Sequence, residues 1–329
     1  MDQVSLIIPN WNGLSHLQEC LDSVASLTVQ PAETLLVDNG SMDASVPFVR
    51  NTYPWVTVIE LDRNRGFAAA VNRGIAAGVA PYVALLNNDT KLDREWLKEL
   101  LQALQETPEA GMAACKMLNF FRPGDIDGAG DVLTRSGAAA TRGFGEPDDG
   151  RFNQREFLFG ACAGAALYRR GLFQSIGTFD EDFVSYYEDV DLCYRAQLAG
   201  WKCIYVPTAL CYHKRGATAK LLQDYPVRML ERNLTAVYVK NFPAAALFRK
   251  APVIVASRLR HLFRTIRAGA GRPALEGFAG GLMLLPRMLK KRREVQRLRR
   301  ISVAAFLGLL GTGPWRPMFL SLTRRRPHA

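Results

Sequence analysis

Residues 82–90 read Tyr-Val-Ala-Leu-Leu-Asn-Asn-Asp-Thr, and this abrupt change from apolar to polar is the strongest indication of an α/β fold. The run 82–86 has the length and composition of a buried parallel strand. In open α/β sheets, ligands bind beyond the carboxyl ends of strands, so Asp89 is a candidate ligand for a metal or a phosphate group. Asn and Asp also form ordinary turns, so this stretch alone leaves a purely structural role open.

Residues 4–118 alternate between strand and helix patterns with short connections, which is typical of a parallel sheet. The predicted strands are Val4–Ile8, Thr34–Val37, Val56–Ile59, Tyr82–Leu86 and a segment near Gly111–Met117. Polar residues follow four of these strands, namely Pro9-Asn10, Asp38-Asn39-Gly40-Ser41, Asp62-Arg63-Asn64 and Asn87-Asn88-Asp89. We therefore predict a mostly parallel central sheet that gathers these side chains at one edge.

Residues 119–158 differ in character, because they hold seven glycines, two prolines and scattered aspartates. This composition predicts a long irregular insertion that either shapes a substrate pocket or acts as a lid. Asp125 and Asp127 resemble a fragment of a calcium loop, but the EF-hand spacing is missing. We therefore expect these two aspartates to lie in a solvated loop.

The net charge of +11 is distributed very unevenly along the 329 residues. Residues 245–329 hold 19 Lys and Arg against two acids, a charge of +17, which leaves −6 for residues 1–244. We therefore expect two parts, a catalytic domain at 1–243 and a basic amphipathic helical tail at 244–329. The tail has apolar residues at helical spacing between its bases, and Trp315 and Phe319 are candidate interfacial anchors.

The cysteines and apolar runs bear on the cellular compartment. The six cysteines form no C-x-x-C pair, which favours a reduced, cytoplasmic compartment. The N-terminus lacks the basic and apolar regions of a signal peptide, and no apolar run reaches the ~18–20 residues of a membrane span. The expectation is a cytoplasmic protein that spans no membrane.

Three carboxylates, Glu188, Asp189 and Asp191, stand at the start of a predicted helix and directly follow two tyrosines. Acids favour helix N-termini because they oppose the macrodipole, but capping explains only one or two of them. Packed carboxylates raise one another's pKa values, which suits a general base. All three are therefore candidate catalytic residues.

His213 follows a predicted strand and precedes a glycine-bearing loop. Cys211 lies beside it, but no second Cys/His pair at a zinc spacing supports a zinc site. An oxygen-rich site that contains Asp89 favours Mg²⁺ or Mn²⁺, and a histidine ligand is more acceptable to Mn²⁺. Asp89 and His213 are therefore the candidate metal ligands.

Together these segments resemble a GT-A glycosyltransferase of family 2, of the rhamnosyltransferase-like type found in bacterial surface-polysaccharide synthesis. The resemblance covers residues 4 to about 218 in the family's order. The matching segments are 4–13, 37–43, 64–67, 72–74, 85–90, 160–161, 177–181, 187–192, 199–201 and His213. The implied fold is a GT-A fold with the basic helical tail appended.

The resemblance also implies roles for individual residues. Asp38 would contact the nucleotide base, Asp89 would bind the metal, and Asp189 would be the catalytic base. His213 would bind the metal or the diphosphate, while the remaining nucleotide-sugar contacts would come from Pro9, Asn10, Asn64, Gly66, Asn72 and Asn88. Asn87 replaces the first carboxylate of the family's D-x-D motif, so the ion would be held mainly through the bound nucleotide sugar.

The implied reaction is inverting, Mg²⁺- or Mn²⁺-dependent transfer of a sugar, with rhamnose favoured. The donor would be dTDP-rhamnose or a UDP-sugar, and the acceptor a hydroxyl of a glycan or a polyprenyl-linked glycan. Within the carboxylate triplet we favour Asp189 as the base; Glu188 and Asp191 are alternatives that would otherwise orient the acceptor or cap the helix.

The sequence also bears on two other classes of protein, sugar nucleotidyltransferases and nucleic-acid-binding proteins. A sugar nucleotidyltransferase would need a basic, glycine-rich phosphate loop after the first strand, where residues 9–13 contain no Lys or Arg. A nucleic-acid-binding protein would explain the basic tail but leave the acidic body unexplained. We therefore expect no nucleic-acid partner.

The tail is expected to bind an anionic membrane surface, which would place the protein peripherally on the cytoplasmic face of the inner membrane. The alternative is that its helices pack against the acidic body, within one chain or across a homodimer. The body's −6 cannot balance the tail's +17, which favours the membrane.

Overall fold

The computed structural model describes residues 3–215 and 224–311. Its first half contains β1 (Val4–Asn10), α1 (Leu14–Ala25), β2 (Glu33–Asp38), α2 (Ser45–Thr52), β3 (Val56–Glu60), α3 (Phe67–Ala77), β4 (Tyr82–Leu86), β5 (Thr90–Leu92), α4 (Trp96–Glu106) and β6 (Ala110–Asn119). Then follow β7 (Arg122–Gly128), β8 (Asp131–Leu133), β9 (Ala139–Thr141), β10 (Glu156–Leu158), β11 (Ala165–Arg169), α5 (Arg170–Ile176), a 3-10 turn (Glu181–Phe183), α6 (Glu188–Leu198) and β12 (Lys202–His213). The C-terminal helices are α7 (Tyr225–Asn241), α8 (Ala244–Arg267), α9 (Gly271–Met283), α10 (Leu285–Leu298) and α11 (Val303–Gly308).

Ten of the described strands form one sheet with the order β10-β12-β6-β11-β4-β1-β2-β3, while β5 pairs with β12 and β7 with β6. The strands β3, β2, β1 and β4 are parallel, β11 runs against both β4 and β6, and β6 is parallel to β12. Six strands therefore run in one direction, and their carboxyl ends share one edge of the sheet. The predicted α/β fold with a mostly parallel central sheet is confirmed.

Helices cover both faces of this sheet because its strands are apolar on both sides. Leu6 and Ile8 of β1 face the core beneath α1 and α4, whereas Ile7 faces the core beneath α3, α5 and α6. This alternation is the two-residue period of a strand. The two cores fix the strands firmly, so the loops at their carboxyl ends start from rigid positions.

The expectation that residues 119–158 are irregular is wrong, because they contain β7, β8, β9 and β10. Five of the seven glycines of this segment have positive φ values and lie between these short strands, namely Gly130, Gly137, Gly143, Gly145 and Gly150. Gly137 has a φ of +82° in the turn between β8 and β9, and a Cβ there would lie 2.3 Å from a ring carbon of Phe242. Turn chemistry, rather than a lack of structure, therefore explains the glycine content.

The boundary expected at residue 243 lies between α7 and α8, and side chains pack across it. Phe306 of α11 is fully buried, with its ring centroid 5.0 Å from that of Phe242 and 6.0 Å from that of Tyr194 in α6. Several tail bases also pair with acids of the body: Lys291 and Arg287 with Asp182 at 2.8 and 3.3 Å, Lys291 with Asp180, and Arg258 with Glu231 at 2.7 Å. Part of the tail therefore packs against the acidic body, as the alternative expectation has it.

The anchors expected at Trp315 and Phe319 lie outside the described residues. Among the helices within 3–215 and 224–311, none combines the length and the apolar character needed to cross a bilayer.

Candidate active site

The carboxyl ends of β4, β1 and β2 carry a continuous row of hydrogen-bonded polar side chains. Asn88 Nδ2 donates to Asn10 Oδ1 at 2.7 Å, and Asn10 Nδ2 donates to Asp38 Oδ1 at 3.0 Å. Asp38 Oδ2 also accepts from the Ser41 amide at 2.9 Å. A Cβ on Gly13 would lie 2.0 Å from Asn88 Nδ2, so only glycine fits against this row. The polar strand ends predicted from the sequence therefore meet at one edge.

A second group of predicted nucleotide-binding residues lies beside β2, at the start of α3. Asn39 Nδ2 donates to Asn64 Oδ1 at 3.1 Å, and that oxygen also accepts from the Gly66 amide at 2.9 Å. Gly66 has a φ of +88°, and a Cβ there would lie 2.7 Å from the carbonyl oxygen of Val184. Gly66 therefore allows the loop before α6 to pack directly on the start of α3.

Asn72 fixes the same loop from one turn further along α3. Its Nδ2 donates to the Phe179 carbonyl at 2.8 Å, and its Oδ1 accepts from the Phe179 amide at 3.0 Å. The structure therefore gives Asn72 a contact that positions this loop, in addition to the nucleotide contact expected from the sequence.

Pro9, the remaining residue expected to contact the nucleotide sugar, lies in β1 just before Asn10 and is half-buried.

Asp89 and His213 approach each other at the same edge of the sheet. His213 Nε2 lies 3.4 Å from Asp89 Oδ1, and His213 Nδ1 lies 2.8 Å from Asp127 Oδ2. Asp127 in turn pairs with Arg215 Nε at 2.8 Å. All three of Asp89, Asp127 and His213 are buried. The expectation that Asp127 lies in a solvated loop is therefore wrong, because β7 folds it beneath His213.

His213 and the two carboxylates Asp89 and Asp127 favour one another's charged forms. Burial opposes a charged imidazole, but hydrogen bonds to Asp127 and Asp89 outweigh it and raise the pKa of His213 to about 9. Burial likewise opposes the Asp89 carboxylate, but His213 outweighs it and holds the pKa of Asp89 below its ordinary value. His16 of α1 is a further nearby group that favours the charged Asp89 carboxylate.

The donor set of Asp89 and His213 fits a divalent ion only in part. Within residues 3–215 and 224–311, no group of three or more His, Cys, Asp or Glu side chains is arranged to hold a metal. One carboxylate and one imidazole are acceptable ligands for Mn²⁺, and the contact of Asp127 with His213 Nδ1 is typical of residues that orient a metal-binding imidazole. The protein could therefore supply two ligands, provided that the ion replaces the proton on His213 Nε2, and the rest would have to come from a bound diphosphate and water.

Asp189 lies half-buried at the second position of α6. Its Oδ1 accepts from the Val190 amide at 2.8 Å and its Oδ2 from the Ala163 amide at 3.3 Å. Burial raises the pKa of Asp189, although these backbone hydrogen bonds oppose the shift. A carboxylate with a raised pKa is well suited to accept a proton near neutral pH.

Glu188 is more deeply buried than Asp189, and its Oε2 has no hydrogen-bond partner among the described residues. Burial first, and the neighbouring Asp189 second, raise the pKa of Glu188 well above its usual range. Burial therefore disfavours the charged form of Glu188. This makes it a weaker candidate for the base than Asp189.

The candidate catalytic role of Asp191 is not supported, because its side chain is fully buried and both of its oxygens are bound by residues of α6 and α7. Its Oδ2 pairs with Arg195 Nε at 2.9 Å and Lys240 Nζ at 2.8 Å, and its Oδ1 accepts from Asn241 at 2.9 Å. Burial opposes the carboxylate, but these cations outweigh it and lower the pKa of Asp191. Asp191 therefore fastens α6 to α7.

Replacing Asp191 by alanine is expected to lower the free energy of unfolding by ~3–5 kcal/mol, because Lys240 and Arg195 lose their buried partner. Urea denaturation of the full chain measures this. In the milder variant Asp191→Asn, the folded protein should keep its donor affinity. A stable Asp191→Asn protein with a large loss of kcat would instead assign the base to Asp191.

Asp131 is a buried carboxyl that the sequence did not single out. It is 1% exposed, its backbone pairs with Gly160, and within the described part of the chain its Oδ1 has no hydrogen-bond partner. Burial first, and the nearby Asp189 second, raise its pKa well above the usual range. It belongs to the segment expected to be irregular, so no helix or strand pattern pointed to it.

The loop 178–187 joins the two halves of the site. Val184, Tyr186 and Tyr187 all have positive φ values, between 64° and 68°, which non-glycine residues rarely adopt. Asn233 of α7 holds this strained loop, since its Nδ2 donates to the carbonyls of Phe183, Ser185 and Tyr186. The loop therefore reaches Asp189 with a fixed geometry.

This site geometry can be compared with known proteins. The sequence model described as "Glycosyl transferase family 2" matches residues 5–177, more than half of the chain. The chain belongs to this family. It is 30% identical over 250 residues to an N-acetylglucosaminyl-diphospho-decaprenol L-rhamnosyltransferase of Mycobacterium tuberculosis, a match that covers 67% of this chain and 78% of the relative. The resemblance to rhamnosyltransferase-like members of glycosyl transferase family 2 is confirmed.

Solved glycosyltransferases confirm the GT-A fold of this family 2 chain. The crystal structure of GalNAc-T7 with UDP, GalNAc and Mn²⁺ has a TM-score of 0.55 and 18% identity, and covers 70% of this chain and 48% of that one. A mannosyltransferase of Pyrobaculum calidifontis in complex with GDP-Man and Mn²⁺ has a TM-score of 0.51 and 19% identity, and covers 93% and 78%. The chain is thus a glycosyltransferase, and the alternative of a sugar nucleotidyltransferase loses its support.

Proposed function

We propose that this family 2 glycosyltransferase moves a sugar, with rhamnose favoured, from a nucleoside-diphosphate donor to a hydroxyl of a polyprenyl-linked glycan, with inversion at the anomeric carbon. The M. tuberculosis relative is named for rhamnosyl transfer to such a lipid-linked acceptor, which supports both choices. The donor would be dTDP-rhamnose or a UDP-sugar. No second activity has a comparable set of residues in its favour.

One observation carries the proposal: two adjacent residues, Ala163 and Gly164, bind the candidate base on one side and the end of β4 on the other. The Ala163 amide donates to Asp189, and the next residue, Gly164, accepts from the Asn87 amide at 2.7 Å. Asn87 leads directly to Asn88 and Asp89. The carboxylate with the raised pKa therefore has a fixed position relative to the residues that would hold the diphosphate.

The donor would be held by the row at the strand ends. Asp38 and Asn10 would contact the nucleoside, and Asn88 would contact the sugar diphosphate beside Gly13. Asp89 and His213 would hold a divalent ion, Mg²⁺ or Mn²⁺. When bound, such an ion neutralises the charge that builds up on the departing diphosphate.

The transfer itself would be a direct displacement. The acceptor oxygen forms a bond to the anomeric carbon, while the bond from that carbon to the diphosphate oxygen breaks and its electron pair leaves with the diphosphate. Asp189 takes the proton of the acceptor hydroxyl as this bond forms. Attack from the side opposite the leaving group inverts the anomeric configuration. Because burial disfavours the charged form of Glu188, this side chain would add little negative charge beside Asp189.

A lipid-linked acceptor would also explain where the protein works. We infer that it attaches peripherally to the cytoplasmic face of the inner membrane through its basic tail, where such acceptors could be reached. The tail's +17 charge supports this location.

The donor is tested by heating the purified full chain with a panel of nucleotide sugars. The true donor with Mn²⁺ should raise Tm most, since ligand at 100 times its Kd adds ~2.7 kcal/mol to the free energy of unfolding. Mass spectrometry and NMR of the product made from a GlcNAc-diphospho-polyprenol should then show one added sugar of inverted configuration. Retained configuration, or no stabilisation by any nucleotide sugar, would contradict the proposal.

A further inference from the structure

Helix α8 packs against the rest of the protein with a face that is largely polar. Arg258 Nη1 and His261 Nε2 both contact the buried Glu231 of α7, at 2.7 and 2.8 Å. Ser257 accepts from Ser136 at 3.3 Å, and Thr265 is buried on the same side. Only Ala246 and Ile254 are buried apolar residues of this helix. A surface helix of a globular protein normally turns its apolar stripe inward.

The apolar stripe of α8 faces outward instead. Its members follow one another at spacings of seven, four, four and three residues, which places them on one side of a helix. They are Phe248, Val255, Leu259, Phe263 and Ile266, with exposures of 86, 57, 62, 60 and 48%. The stripe runs along most of a 24-residue helix. Helix α9 carries a shorter exposed set, Leu275, Phe278 and Leu282, at three- and four-residue spacing.

Charge decides what covers this stripe. Residues 244–267 contain six bases and no acid, and exposed Arg249, Arg260, Arg264 and Arg267 lie beside the apolar residues. In a symmetric dimer through this face, each copy would bring the same bases against the other, with no acid to compensate them. An anionic lipid surface, in contrast, offers an apolar interior for the stripe and phosphates for the arginines.

We propose that α8 lies in the headgroup region of an anionic bilayer. Its polar face would pack on the protein, and its five-residue apolar stripe would contact the lipid acyl chains. Helix α10 supplies the contacts to the body through Lys291 and Arg287, so the tail's bases divide into a protein-facing and a lipid-facing set. This proposal deepens the membrane attachment inferred above by naming the helix and the side chains that make it, and it rests on the proposed sugar transfer only in that a lipid-linked acceptor lies at the membrane.

The test is co-sedimentation of the full chain with vesicles that contain no acceptor. Wild type should pellet with vesicles of phosphatidylcholine and phosphatidylglycerol at a 3:1 ratio, and much less with phosphatidylcholine alone. The variant Leu259→Gln/Phe263→Gln should lose at least about tenfold in partition coefficient, since buried apolar groups drive insertion. The matched control is Val79→Gln, which removes an apolar side chain that is 84% exposed and distant from the tail in sequence; it should pellet like wild type.

The charged part is tested separately with Arg260→Gln/Arg264→Gln, which should weaken binding by about fivefold for each lost base and reduce its salt dependence. Circular dichroism and Tm must show that each variant is folded. Equal pelleting of wild type and Leu259→Gln/Phe263→Gln would overturn the proposal. So would a wild-type dimer, seen by light scattering, that this variant dissociates without any wild-type binding to vesicles.

These readouts separate the membrane proposal from the proposed function. Vesicle binding requires neither donor nor acceptor, so it can fail while sugar transfer is intact. Conversely, Leu259→Gln/Phe263→Gln should transfer sugar to a water-soluble acceptor analogue at the wild-type rate, because the stripe lies outside the site.

Discussion

Replacing Asp189 by asparagine is expected to reduce kcat by ~10²–10⁴-fold while donor affinity changes little. The reason is that the carboxylate acts on the acceptor proton in the transition state, and asparagine keeps the size of the side chain but cannot take the proton. Steady-state kinetics give kcat, and calorimetric titration with the donor gives Kd. The matched variant Glu188→Gln should retain most of its activity, since burial already disfavours the charged form of Glu188.

The pH dependence should report the same group. Because burial raises the pKa of Asp189, the low-pH limb of kcat should lie above the ordinary carboxyl range near ~4. Activity should therefore fall as pH decreases through this raised pKa and level off above it. A low-pH limb that survives unchanged in Asp189→Asn, or near-normal turnover of that variant, would place the base elsewhere.

Chelation should abolish transfer, and Mg²⁺ or Mn²⁺ should restore it. Asp89→Ala should then lower kcat/KM by at least about 10²-fold at a fixed metal concentration, because the charge on the departing diphosphate is no longer neutralised. Calorimetric titration of Mn²⁺ in the presence of UDP or dTDP gives a readout that is independent of activity.

The contact between Asp127 and His213 suggests a second variant whose loss of Mn²⁺ binding should be smaller. Asp127 contacts His213 and is not one of the two proposed ligands, so Asp127→Asn should weaken Mn²⁺ binding by ~10–100-fold, less than Asp89→Ala does. Asp62→Asn, at an exposed carboxylate that pairs only with nearby arginines among the described residues, is the control. Full activity in excess EDTA would contradict the metal proposal, and a selective response to zinc would direct attention back to Cys211.

The sequence predicted best those features that depend on local pattern. The strand expected at Tyr82–Leu86 has the bounds that the structure gives it, because an unbroken apolar run next to a polar cluster allows few alternatives. The position of the polar residues that follow the strands was predicted as well, since parallel strands bring their carboxyl ends to the same edge of a sheet.

Features that depend on contacts between residues far apart in the chain could not be predicted from the sequence. Asp191 was one of two alternatives to Asp189 as the base, and its buried ion pair with Lys240, 49 positions away, could not be predicted from its neighbours in the sequence. Asp127 and Asp131 lie in a glycine-rich segment without periodicity, so nothing local distinguished them from solvated turn residues. The amphipathic pattern of α8 was visible in the sequence, but the side that faces the protein depends on Glu231 in another helix.

The burial of Phe306 against Tyr194 and Phe242 has a consequence for how this enzyme can evolve and be engineered. The family's sequence model ends at residue 177, before α6, which carries Asp189, and before α7 to α11. A fragment that ends at residue 177 would lack α6 altogether, and one that ends at residue 243 would uncover the ring of Tyr194 and remove Lys291 from Asp180. Recombination between family members should therefore succeed only when α6 and the C-terminal helices are inherited together.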